Sequence, residues 1–394
     1  MTRLDWTGRR FEVEIGAVAH GGHCVARHDG RVVFVRHALP GERAIVEITE
    51  DRGGSFCRGD AVSVLVPSPD RVPAPCPVSG PGGCGGCDWQ HATPASQRAL
   101  KASVVAEQLQ RLASLSVDVE VEELPGGYLD WRTRTRLAVD SSGRPGFRAH
   151  RSHTVIPVAD CPIAAPGTVD AVVGRAWTPG AELAVAVDAD AFTHVVDVGS
   201  GSALVGSALA SERAAQRSWQ VAADGFWQVH PAAADLYCEV VASWSALEPG
   251  DSAWDLYSGV GLFAAVLASQ VGLSGSVMAV ESFVDAARLS ATNLADLKQV
   301  RIFAGKVAAV LAAGEGPDPR VVVLDPPRKG AGRDIVDAIA ARGAERVIYV
   351  ACDPAALARD VATFAGHGYS LSALRAFDAF PMTHHVECIA LLTR

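Results

Sequence analysis

From about Phe226 onward, apolar runs recur around Ala253, Val277, Val321 and Val347, and helix-like stretches separate them. Strands alternating with helices in this way are the signature of a doubly wound parallel sheet. Such sheets present their chemistry at the carboxyl edge of the strands, so the residues that end each run carry the most information.

The run Val347-Ile348-Tyr349-Val350-Ala351 ends at Cys352 and breaks into Asp353-Pro354, followed by helix-like Ala355 to Asp360. A cysteine at a strand end, before a helix N-terminus that would stabilise a thiolate, is placed as a nucleophile. Taken alone, a cysteine in apolar surroundings is more often a packed core thiol. Val321-Val322-Val323-Leu324 ends at Asp325-Pro326-Pro327-Arg328, whose prolines remove backbone donors and stiffen the tip that carries Asp325. Asp-Pro-Pro tips of this kind resemble those of methyltransferases acting on planar nitrogenous groups; the other reading is a simple turn. Asp255-Leu256-Tyr257-Ser258-Gly259-Val260-Gly261-Leu262-Phe263 closes a strand with a glycine turn and opens a helix, which brings backbone close to a bound nucleoside. Ala264 stands where a dinucleotide fingerprint would have its third glycine, and Glu281 ends the next run, where a carboxylate suits ribose hydroxyls. Loop and acid together indicate an S-adenosylmethionine site. Glu387 starts the terminal apolar strand Cys388 to Leu392, a place usually held by a solvated edge residue.

At 394 residues the chain exceeds one ordinary domain, and a prior of roughly 150 residues per domain suggests two or three. Phe11 to Val66 reads as short strands between glycine turns, a small β-barrel covering residues 1–70. Its proline-rich exit, Pro67 to Pro77, cannot continue a ladder and marks a boundary. A central domain is expected over 71–215, holding a cysteine segment, a helix over about 94–115 that is a candidate to pack on the C-terminal domain, and mixed strands. The sheet domain fills 216–394.

No apolar run approaches the ~20 residues of a membrane span. The start, Met1 to Trp6, lacks a secretory pattern, so the nine cysteines are read in a reducing cytoplasm, where metal or catalytic roles outrank disulfides. A net charge of −9 argues against indiscriminate coating of nucleic acid. Strand alternation through Arg132, Arg134 and Arg136 would nevertheless put three guanidinium groups on one face, as an RNA-binding stripe or equally as a solvated strand face.

Five linked motifs, Phe226-x-Gln228-Val229, Asp255-Leu256-Tyr257-x-Gly259-x-Gly261, Asp325-Pro326-Pro327-Arg328, Tyr349-Val350-x-Cys352-x-Pro354-x-x-Leu357-x-Arg359-Asp360 and Pro381-x-Thr383-x-His385-Val386-Glu387, resemble the RNA uracil-5-methyltransferase family in order and spacing. The resemblance covers nearly the whole chain. It implies an α/β multidomain protein: a TRAM-like, OB-like barrel that binds RNA, a central α+β iron-sulfur domain, and a Rossmann-like class I methyltransferase domain. The implied reaction is S-adenosylmethionine-dependent formation of 5-methyluridine in rRNA or tRNA, with Cys352 adding to uracil C6 and Glu387 removing the C5 proton. Gln228, Tyr257, Glu281 and Asp325 match positions that contact the methyl donor, with Gly259, Gly261 and Leu262 in the same loop. The target uridine would have to leave its stack.

Cys76, Cys84, Cys87 and Cys161 resemble the four thiolate ligands of the family's [4Fe-4S] cluster, although a four-cysteine zinc site suits the same residues. The first gap holds seven residues, Pro77 to Gly83, where several relatives have five. Other departures are Leu262 and His230 where relatives often carry Asn, and Lys306 where an acid is common; they bear on donor affinity rather than on the reaction. Two alternatives remain, a catalytically silent RNA-binding protein and an RNA cytosine-5-methyltransferase. No membrane or protein partner is evident, and a chain with its own RNA platform could act as a monomer.

Overall fold

The computed structural model describes residues 5–394; Met1 to Leu4, most of the N-terminal stretch read above, lie outside the described residues. Five strands, Arg10–Glu14, Cys24–His28, Arg31–Arg36, Arg43–Asp51 and Phe56–Val66, form the first sheet. The edges close through Gly16 N to Val25 O (2.8 Å) and Val25 N to Ala17 O (2.9 Å), giving a barrel. Alternation sets its inside: Ala44, Val46 and Ile48 point inward from one strand, joined by Val33, Val35 and Trp89. The strand Cys24–His28 was not apparent in the sequence, because its Arg27 and His28 interrupt any apolar run.

The helix Pro94–Ala113 begins at Thr93, whose hydroxyl accepts from Ser96 N. It bridges two cores, placing Leu100 and Val104 against the barrel and Val105 and Leu109 against the C-terminal sheet. Its Lys101, wholly buried, lies 2.5 Å from Asp378 and also donates to Phe380 O at 3.0 Å.

The central sheet has six antiparallel strands, ordered Ser202–Val205, Thr193–Asp197, Glu182–Val187, Arg134–Val139, Pro145–Arg148 and Val155–Pro157. The hairpin Leu209–Ala214 and Arg217–Ala222 follows. It changes the expected arginine stripe. Arg134 is buried, paired with Glu212 at 2.8 Å and donating to Ala222 O and Gly225 O, and Arg136 reaches Asp224 O. The strand alternates as expected, but the three guanidinium groups do not form one open row: Arg134 is spent on the hairpin, Arg132, just before the strand, donates to Arg134 O, and Arg136 stays exposed beside Glu182.

The C-terminal sheet has eight strands, in the order Val300–Ala304, Ser276–Glu281, Ser252–Leu256, Val321–Leu324, Arg346–Ala351, Glu387–Thr393, Ser370–Asp378 and Val121–Glu123. The last of these, Val121–Glu123, comes from the chain before the central sheet and joins the edge of the C-terminal sheet. The first five strands are parallel, with Leu256 level with Val280 and Leu324, and Leu324 level with Tyr349. Helices cover both faces, which is why Val321–Leu324 is apolar at every position. Among the described residues no helix is long and apolar enough to cross a membrane.

Candidate functional site

Parallel pairing in register brings the loops after Leu256, Glu281, Leu324 and Ala351 to one edge. The strand Glu387–Thr393 runs the other way and enters at that same edge. Ala351 pairs with Cys388, so Glu387 comes in beside Cys352. Asp325, Cys352 and Glu387 thus meet, with Arg328 near the thiol.

Burial dominates their electrostatics. It pushes the Cys352 thiol up to about 12, the carboxylates of Glu387 and Asp325 push the same way, and Arg328 opposes them. Glu387 is 4 % exposed, and burial, then Asp325, holds its carboxyl well above the ordinary carboxylate range. Asp325 is raised by burial as well. The thiolate expected from the helix N-terminus is therefore opposed by burial and by two neighbouring acids. Tyr237, which sequence reasoning missed, is fully buried within the field of Glu387, Asp325 and Cys352, and its hydroxyl has no hydrogen-bond partner among the described residues. Only its place in the helix Ala233–Ser245, shortly after Gln228, could have signalled it.

Beside these groups lies the glycine loop. Tyr257, Gly259 and Gly261 have φ of +65°, +55° and +98°. Glu281 is buried and accepts from Gly259 N at 2.9 Å and Phe283 N at 2.6 Å, so the acid holds the loop as well as facing it. Asp255 accepts from Ala264 N at 2.7 Å in the first turn of the helix Leu262–Val271, and burial pushes its carboxyl up to about 8. The hydroxyl of Ser258 is buried without a partner among the described residues, an orphaned polar atom in the loop expected to hold a nucleoside. Leu262 packs into the main hydrophobic cluster, and Lys306 is exposed before the helix Val307–Ala312. Gln228 is buried on a segment tied down by Thr133, whose amide and hydroxyl both donate to Val229 O at 3.0 Å.

Gly261 has no room for a side chain: a Cβ there would fall 2.5 Å from Leu294 Cδ1 and 2.8 Å from Ser290 Oγ. Gly261→Ala is expected to cost about 2–4 kcal/mol from strain and overpacking together. A lowered thermal midpoint and weaker S-adenosylhomocysteine binding by calorimetry would bear this out; an unchanged midpoint would refute it.

Cys76, Cys84, Cys87 and Cys161 line one small cavity of about 20 Å³, walled by Val78, Phe147, Val158 and Arg132. Gly83 and Gly85 allow the loop its path, because a Cβ would fall 2.2 Å from Val78 O or 2.7 Å from His150 Cα. Among the described residues no group of three or more ligating side chains is gathered closely enough to hold a single metal ion. The segment just after Cys87 holds the loop that leads to Glu387: Asp88 N and Trp89 N both donate to Met382 O at 3.0 Å, and Asp88 bonds His384 Nδ1 at 2.6 Å. Cys24, Cys57, Cys238 and Cys388 are buried in the cores.

A second cleft, of about 240 Å³, lies between the barrel and this cysteine loop and is lined by Arg36, Arg58, His150 and Arg151 together with Glu50 and Asp60, with Glu50 pairing Arg151 at 3.0 Å and Arg58 at 3.4 Å. Arg58 also lies over the exposed ring of Phe56, at 5.1 Å. The sequence did not single out the barrel residues Arg36, Phe56 and Arg58, since they become neighbours only across strands.

Residues 247–394 match the family model described as tRNA (Uracil-5-)-methyltransferase, and residues 6–62 match the TRAM domain model. The chain is 47 % identical to an "Uncharacterized RNA methyltransferase" of Streptomyces avermitilis, over 98 % of both chains. A protein described in the same words from Bifidobacterium longum is 39 % identical, again over 98 % of both. Among solved structures, the Pyrococcus abyssi tRNA (uracil-54, C5)-methyltransferase in complex with S-adenosyl-L-homocysteine superposes with a TM-score of 0.74 at 21 % identity, covering 97 % of this chain and 100 % of that one. That likeness is one of fold.

Proposed function

This chain belongs to the RNA uracil-5-methyltransferase family, and we propose that it methylates C5 of one uridine in rRNA or tRNA, with Cys352 as nucleophile and Glu387 as base. The observation that carries this reading is the meeting of Cys352, Asp325 and Glu387 at one buried sheet edge, beside a glycine loop with an acid at the next strand tip.

Uracil C5 is a poor nucleophile until a group adds at C6. The Cys352 sulfur forms a bond to C6, its proton leaves, and the electron pair moves to an enolate that makes C5 reactive. When bound, S-adenosylmethionine supplies the electrophilic methyl group and a positive sulfonium whose field favours the ionised forms of nearby acids and thiol. Glu387 then takes the C5 proton, the C5=C6 double bond re-forms, and the C6–S bond breaks with its electron pair leaving on sulfur as a thiolate, which takes up a proton from solvent. A carboxyl whose pKa is raised by burial is a stronger base once ionised, which fits that task. Glu281 is suited to ribose hydroxyls, and the exposed ring of Phe283, two residues on, offers a face for adenine. The TRAM barrel would hold the RNA through Arg58 and Phe56, joined across the cleft by Arg151 of the central domain, with electrostatic attraction to phosphate and stacking on the ring.

The donor set of Cys76, Cys84, Cys87 and Cys161 in one cavity fits a [4Fe-4S] cluster, which would neutralise the thiolates and stiffen the segment that anchors Met382 and His384. Protein prepared without oxygen should contain iron and acid-labile sulfide in equal amounts, and Cys87→Ser should lose both together with thermal stability. Stoichiometric zinc without sulfide would exclude the cluster.

The experiment that tests the function is mass spectrometry of nucleosides from RNA treated with protein and donor. 5-Methyluridine is expected; 5-methylcytidine, or no methylated base on any cellular RNA, would overturn it. Comparing known 5-methyluridine sites in a deletion strain then identifies the RNA.

A further inference from the structure

The barrel reaches the catalytic edge through one tight turn, Ala19 to His23, in which Ala19 N donates to His23 O at 2.7 Å and Gly22 N to Ala19 O at 3.2 Å. At its tip His20 Nε2 lies 3.0 Å from Asp353 Oδ2, a contact between residues 333 apart in sequence. Asp353 directly follows Cys352, and its other oxygen accepts from Ala356 N at 2.8 Å as the cap of the helix Pro354–Ala365. One carboxylate therefore joins the barrel, the nucleophile's turn and the helix behind it. The same barrel turn abuts the loop that leads to Glu387: a Cβ on Gly22 would fall 2.7 Å from His384 Cβ, and Gly22 O accepts from Trp89 Nε1 at 3.1 Å.

We infer that His20 is a positioning residue, which fixes through Asp353 the strand-to-helix turn that presents Cys352, so that the RNA-holding barrel sets the nucleophile directly. The inference rests on the reading of Cys352 as nucleophile. Three charged groups face His20: Asp353, Arg359 from the same helix, and Glu107 from the helix Pro94–Ala113. The hydrogen bond to Asp353 leads, and it raises the imidazole above its ordinary 6.5 against the opposing effect of burial. Burial works against ionising Asp353 too, but the hydrogen bonds from His20 and Ala356 N hold its carboxyl below the usual range. The contact is thus an ion pair at low pH. As pH rises through the raised imidazole value, the proton leaves and only a neutral hydrogen bond remains, so the hold on Asp353 weakens.

Single-turnover methyl transfer and RNA affinity should be measured for the full chain and for His20→Ala and His20→Gln. His20→Ala should slow transfer by on the order of tenfold with RNA affinity changed by less than about twofold, since a small displacement of a reacting group is costly while an exposed pair adds little binding. His20→Gln, which keeps an N–H donor without a titrating proton, should recover most of the rate. The ratio of wild type to His20→Gln should fall as pH rises above the ordinary imidazole value of 6.5. Equal loss of rate and RNA affinity in His20→Ala, no loss of either, or a ratio flat with pH would overturn the inference. The two failures are separable with 5-fluorouridine RNA: no Cys352-dependent adduct in wild type defeats the nucleophile, whereas an adduct formed equally fast in His20→Ala defeats only the positioning role.

Discussion

Cys352→Ala will lose methyl transfer by about four orders of magnitude or more, because without the C6 bond the C5 carbon has no enolate to attack with. It will also lose the covalent adduct that wild type forms with 5-fluorouridine RNA, in which fluorine cannot leave as the proton does. The thiol is half-buried, so alanine removes little packing and the variant should fold. The structure adds a pH dependence. Burial first, then Glu387 and Asp325, push the thiol up to about 12. Below its pKa the thiolate fraction grows tenfold per pH unit, so adduct formation should climb between about pH 7 and 9 without levelling. A plateau near neutrality in single-turnover experiments would refute a raised thiol as the source of the pH dependence.

Glu387→Gln has the second large effect, and of a different kind. Gln keeps the shape of the protonated acid that burial favours at this position, so the fold should be retained. Addition and methyl transfer need only Cys352 and the donor, whereas release needs the C5 proton to go. Multiple turnover should fall by roughly three orders of magnitude, in the range for a lost general base. Meanwhile a denaturation-resistant complex of protein and methylated RNA should build up. Free methylated RNA released at the wild-type rate would show that another group takes the proton. Tyr237, buried in the same field, would then be the first residue to examine.

The motifs that end strands were the legible part of this site. Cys352, Asp325 and Gly261 each stand where an apolar run meets proline or glycine, and such breaks are written locally. Glu387 was legible only as the start of a strand. Its place beside Cys352 comes from antiparallel pairing of Ala351 with Cys388, a register that no local pattern specifies. The arginine stripe changed for a related reason: alternation puts Arg134 and Arg136 on one face, but did not tell that a hairpin would take up Arg134 through Glu212 and Ala222 while Arg136 stays exposed. The strand Val121–Glu123 is too short to signal its place at the edge of the C-terminal sheet.

The sequence alone determined the element types, the parallel sheet and the residues delivered to its carboxyl edge, because backbone preference and burial period act over a few residues. Only the tertiary structure decided which of those residues face one another, that His20 reaches Asp353 across 333 positions, and that burial raises the thiol and both acids together. Ionisation depends on how much water the whole fold removes and which charges it brings near, and neither quantity exists until distant segments have packed together.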